Sequence, residues 1–88
     1  LFEVNEHELT EVARCESDGF RADVVYGPTL GAAGEFGMMQ LHPRGKLIEF
    51  YAVGYSDPFD PAQAAHYTAW AFSRGQQRHW SCWSLHFG

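Results

Sequence analysis

Hydrophobic and polar positions alternate in short runs along this 88-residue chain, and glycine, proline and aspartate separate the runs. The first pair of runs, residues 11–17 and 20–26, flanks Asp18-Gly19, a dipeptide suited to the φ > 0 backbone of a two-residue hairpin turn. Pairing Ser17 with Phe20 sets Cys15 against Ala22, Ala13 against Val24 and Glu11 against Tyr26 on one face. The other face then opposes Glu16 to Arg21, Arg14 to Asp23 and Val12 to Val25, so two charge pairs and one apolar pair favour the hairpin. A rival pattern shares these residues: a helix starting at Asn5, with Glu8 completing a capping box and Leu9, Val12 and Ala13 as its stripe. The hairpin is the reading adopted.

Tyr26-Gly27-Pro28 closes the second run, and Gly31, Gly34 and Gly37 mark a loop expected to be mobile. Next, His42-Pro43-Arg44-Gly45 reads as a type I turn joining two antiparallel strands, residues 36–41 and 46–55. The second of these is apolar on both faces except at Glu49, which predicts a central strand. Met38 and Met39 in the first read as core filling.

Ser56-Asp57-Pro58-Phe59-Asp60-Pro61 leads into a helix, with Asp60 as N-cap, Pro61 at its first position, Gln63 completing the cap and Gly75 ending it after Arg74. Ala62, Ala65, Thr68, Ala69 and Phe72 form its expected packing face, with Ala64 and Ala71 at the flank. Gln63, His66, Tyr67, Trp70 and Arg74 lie opposite, with Leu1, Phe2 and Val4 as an alternative cover for Tyr67 and Trp70. Residues 78–87 alternate His79, Ser81, Trp83, Leu85 and Phe87 with Trp80, Cys82, Ser84 and His86, which predicts a last strand leaving Trp80 at the surface. The expected architecture is therefore a single α+β domain of order β-β-β-β-α-β. It has an antiparallel sheet of about five strands, two hairpins plus a C-terminal strand, with one helix packed on one face.

Composition narrows the functional classes. No apolar run approaches the roughly 20 residues of a membrane span, and no leader-like stretch is visible, which reads as a cytoplasmic protein. The chain starts at Leu1 rather than Met, leaving room for a segment removed upstream. The net charge of −5 resides in the first 23 residues, with seven acids against two bases, and the remainder is neutral. An acidic pole argues against direct nucleic-acid binding and suits a basic protein surface. Gly31, Gly34 and Gly37 match neither a phosphate loop nor a dinucleotide fingerprint.

His79, Cys82 and His86 do not converge on one metal if they lie on a strand, since Cys82 and His86 would stand roughly 13 Å apart. No metal or cofactor is expected. Cys15 and Cys82 are too few for a disulfide framework and could form one bridge if the chain is exported and its fold makes them adjacent.

With no catalytic constellation in view, the sequence reads as a non-enzymatic interaction module, an inhibitor or regulator of another protein. Its contact residues would be Glu6, Glu8 and Glu11 at the acidic pole and Tyr67, Trp70, Arg74 and Trp80 as aromatic anchors. A second apolar sheet face, or the surface Trp80, would be covered by an identical subunit, giving a homodimer. The alternative is a small-ligand-binding domain or small enzyme. Its pocket would lie between the helix, the glycine loop and the terminal strand, lined by Tyr51, Tyr55, Trp83 and a histidine.

Overall fold

A computed structural model describes residues 4–88, so the cover expected from Leu1 and Phe2 lies outside the described residues. Five α-helices follow in order, α1 Glu6–Glu16, α2 Ala22–Val25, α3 Lys46–Ala52, α4 Pro61–Ser73 and α5 Ser81–Phe87, with a 3-10 turn Gln77–His79 before the last. The described residues contain no strand. Their one extended pairing is an antiparallel bridge between Phe36 and Leu41. The expected α+β sheet is therefore overturned, and each expected strand has its own physical reason for failing.

In the first region the rival helix won. Asn5 accepts the Glu8 N–H at 3.1 Å, acids occupy the first turn, and Arg14 stands in the last turn, so caps and charges all agree with the macrodipole. Val12 and Ala13 turn inward, with Leu9 partly buried beside them. Asp18-Gly19 does adopt positive φ, at 55° and 78°, but there it terminates α1. The Gly19 N–H reaches the Arg14 carbonyl at 2.7 Å and the Asp18 N–H reaches that of Cys15 at 3.3 Å, the two bonds of a Schellman cap. The charges expected across a ladder pair locally instead, Arg14 with Glu11 and Arg21 with Asp18 and Asp23.

Fully buried Ser17 fastens this turn, donating to the Ala13 carbonyl at 2.6 Å and accepting the Phe20 N–H at 3.0 Å. Ser17→Ala leaves that part-buried N–H without its acceptor. It should lower stability by about 1–2 kcal/mol in urea unfolding. An unchanged midpoint would show that the turn holds without the hydroxyl.

The turn at His42 also forms, with the Gly45 N–H bonded to the His42 carbonyl at 3.0 Å, but it opens α3 rather than a strand. Leu47 and Phe50 are buried three residues apart while Ile48, Tyr51 and Val53 stay exposed. The run that looked apolar on two strand faces is thus a short helix with one buried edge and one exposed apolar edge. A homodimer seam on an uncovered sheet face loses its premise with the sheet.

Helix α4 forms where expected. Asp60 accepts the Ala62 N–H at 3.0 Å, Pro61 fills the first position, and Gly75 ends the helix at φ 76°. Its packing face is rotated from expectation: Ala64, Tyr67, Thr68, Ala71 and Phe72 are buried. Residues 81–87 form α5 instead of a strand, and a disulfide joins Cys82 to Cys15 at the end of α1.

Trp80 stands at the centre of the molecule. It is 3% exposed, packs edge-on against Phe72, and donates its Nε1–H to the Met39 carbonyl at 2.9 Å. This bond ties the loop around residues 36–41 to the helices, because a buried indole N–H needs an acceptor. Gly37 in that loop has φ 77°, and a Cβ there would strike the Pro58 carbonyl, so the close backbone approach requires glycine.

Candidate active site

The end of α1, the glycine loop, the start of α3 and the segment entering α5 converge on one cleft. Its inner part, about 190 Å³, is lined by Glu16, Glu35, Gln40, His42, Lys46, His79, Trp80 and Ser81. The outer part, about 500 Å³, is lined by His42, Arg44, Gly45, Lys46, Glu49 and His79. Three shared residues, His42, Lys46 and His79, make the two parts neighbours.

Glu16 is the last residue of α1, and its position is fixed from both sides. The preceding Cys15 is bridged to Cys82 with Cα atoms 6.0 Å apart, and the Glu16 carboxylate accepts the Cys82 N–H at 3.3 Å. Burial pushes its pKa above the ordinary glutamate value of 4.5, the Cys82 hydrogen bond pulls it down, and the nearby Glu35 charge raises it further. Desolvation dominates, so Glu16 holds its proton to higher pH than an exposed carboxyl.

The sign of the linkage follows. The folded state binds more protons than the unfolded chain above pH 4.5, so Glu16 ionisation costs stability as pH rises through that raised value.

Glu35 faces Glu16 from the loop that the three glycines mark. Its carboxylate accepts the Ala33 N–H at 2.8 Å, and its carbonyl accepts the Gly31 N–H at 2.9 Å. A Cβ on Gly31 would collide with the side-chain oxygens of Gln40 and Glu35. Both are ends of flexible side chains, so Gly31→Ala displaces cleft groups at little cost to the fold.

On the outer side, Glu49 accepts the Tyr67 hydroxyl at 2.5 Å and the Lys46 ammonium at 3.2 Å. Those hydrogen bonds, Tyr67 first, hold the Glu49 carboxyl below the ordinary range, while burial and the carboxylate acceptor hold the Tyr67 proton firmly on. Lys46 also contacts Gln76 at 2.5 Å and lies over the Trp80 ring. His42 accepts the Arg44 backbone N–H at its Nδ1, 3.0 Å away.

The residues expected to contact a partner are scattered. Glu6 is exposed, but Glu8 accepts the Trp83 Nε1–H at 2.7 Å and Glu11 pairs with Arg14 at 3.5 Å. Tyr67 is fully buried and Trp80 nearly so, both in the core rather than on the expected surface. Trp70 is partly buried under the Arg74 guanidinium, which lies 4.9 Å above its ring.

Of the side chains expected around a pocket, Tyr51, Tyr55 and Trp83 are absent from the cleft lining, whereas histidines and the glycine loop contribute to it. Tyr55 instead stacks on Phe50 and meets His66. Cys82 is in the disulfide, and no group of three metal-ligating side chains occurs among the described residues. Glu16 and Glu35 were overlooked because they are 19 positions apart in the chain. The one local signal was the adjacency of Glu16 to Cys15, whose bridge to Cys82 sets the carboxyl against the start of α5.

No helix among the described residues is long and apolar enough to cross a membrane. Compared with known proteins, the chain matches no family model, no curated protein sequence and no solved structure.

Proposed function

We propose that this domain is a small acid–base hydrolase that cleaves glycosidic bonds, with Glu16 as the general acid and Glu35 as its carboxylate partner. The observation that carries the reading is the pairing of a partly buried Glu16, anchored on the Cys82 N–H, with Glu35 in one cleft. Its raised pKa supports it, since a general acid must keep its proton at working pH.

The chemistry follows from what the cleft holds. Bridged cysteines leave no thiol nucleophile among the described residues. Two carboxyl groups in different environments suit a bond whose leaving oxygen needs a proton and whose carbon develops positive charge. Glu16 delivers its proton to the glycosidic oxygen as the C–O bond breaks. The Glu35 carboxylate stabilises the oxocarbenium-like charge, water adds to the anomeric carbon, and the proton lost by that water returns to Glu16.

The interaction-module reading loses support because Glu8, Tyr67 and Trp80 are engaged internally. The disulfide supports an oxidising compartment in place of the expected cytoplasm, because thiols are kept reduced in the cytosol. Glycan polymers outside the cell fit that setting.

The test is a panel of cellulose, chitin, hyaluronan and peptidoglycan, with chain shortening followed by mass spectrometry between pH 4 and 8. Shortening of at least one polymer, lost in Glu16→Gln, is expected. If none is shortened, the assignment is wrong. In the same assay Gly31→Ala should reduce the rate about tenfold through displaced Glu35 and Gln40 while costing under about 1 kcal/mol of stability. Full activity in that variant would show that the rate tolerates their displacement.

A further inference from the structure

We propose that the outer half of the cleft is a subsite for an anionic substituent of the glycan, a carboxylate or sulfate ester near the scissile bond, held by Arg44 with His42 and His79. The inference rests on the catalytic reading for the word glycan, and on the outer cavity for the anion.

Two of the charged groups there are already used. Lys46 is held by Glu49 and Gln76, and Glu49 by Lys46 and Tyr67, so this pair is internally neutralised. What remains toward the cavity is of one kind. The Arg44 side chain is exposed and has no hydrogen bond or ion pair among the described residues. With its Nδ1 occupied by the Arg44 N–H, neutral His42 carries its proton on Nε2, which makes that edge a donor. His79 adds an exposed imidazole with no side-chain hydrogen bond among the described residues.

Arg44, His42 and His79 set N–H donors and a surplus positive charge at this lining, which recognises acceptors, and the guanidinium fork fits the two oxygens of a carboxylate or sulfate. The volume of about 500 Å³ suits a ligand of small-molecule size such as a substituted sugar. The inner half imposes the direction, because the Glu35 carboxylate disfavours a second anion beside it. An acidic substituent is therefore repelled from the reacting centre and drawn outward, which sets the register of the polymer.

Binding is measured by residue-resolved NMR titration of the Glu16→Gln chain, so turnover does not enter. Three oligosaccharide probes carry the acid as a uronate, a lactyl ether or a sulfate ester, each beside its carboxyl-reduced or desulfated neutral form. At least one acidic probe should bind about tenfold or more tighter than its neutral form, with shifts centred on residues 42–46 and 79. Arg44→Gln should erase that preference. Equal affinity within all three pairs, shifts elsewhere, or an Arg44→Gln chain that keeps the preference would overturn the subsite. Acid-selective binding without cleavage of any polymer by the wild-type chain leaves the subsite standing and removes the catalytic assignment. Cleavage with no acid preference does the reverse.

Discussion

Glu16→Gln should lower the rate of glycan cleavage by about 10²–10⁴-fold, the usual contribution of a positioned general acid. At 25 °C this corresponds to about 2.7–5.5 kcal/mol of lost transition-state stabilisation. Glutamine keeps the shape of the side chain and an oxygen to accept the Cys82 N–H, so the loss isolates the proton. Two further results should accompany it. The alkaline limb of the wild-type pH profile should lie above the ordinary glutamate value of 4.5, because burial raises the Glu16 pKa. At neutral pH the variant should melt no lower than the wild type, since the substitution removes a carboxylate whose ionisation costs folding energy. A variant that melts lower and keeps its rate would mean that Glu16 is a structural acceptor, and the catalytic assignment would fall.

Removing the disulfide with Cys15→Ser and Cys82→Ser should cost about 4 kcal/mol, because the bridge closes a loop between residues 67 apart in sequence. For a domain of this size that means a drop in Tm of roughly 16–32 °C. Circular dichroism melts of the oxidised and substituted chains measure it directly, and a change below about 3 °C would show that α1 and α5 stay docked without the bond. The same bond supports the site. It places the α5 backbone N–H against Glu16, so activity measured well below the lowered Tm should fall further than the folded fraction explains. Glu8 and Trp83, at 2.7 Å, and the edge-on contact of His7 with Phe87 also join these helices.

Both predictions concern contacts between distant residues, and that is where sequence reasoning stopped. Local signals were read correctly where one element could use them. Asp60, Pro61 and Gly75 bounded α4 because cap chemistry is specific to helix ends. His42 to Gly45 formed the expected turn, and Asp18 and Gly19 the expected positive φ. The error lay in what those signals joined. A left-handed dipeptide serves a hairpin turn and a helix C-cap equally, and over seven residues an apolar run such as Lys46–Ala52 fits a covered strand or a short helix. Their choice depended on whether a sheet partner existed, which is a tertiary matter.

The candidate site was less legible still. Its chemistry comes from residues on four segments, with no shared spacing to mark them. Trp80 illustrates the reason: an alternating pattern put it on a surface, yet its indole N–H found an acceptor at Met39, 41 positions away.

By itself, then, the sequence determined the capped helix α4, the turns, the acidic first quarter and the two cysteines able to bridge. Each of these rests on the conformational preference or ionisation of neighbouring residues. Only the tertiary structure decided that the chain is helical among its described residues, that Tyr67 and Trp80 are core, and that Glu16 faces Glu35 across a cleft. Burial and long-range approach set those outcomes, and they shift a carboxyl pKa or satisfy an indole only after the helices have packed.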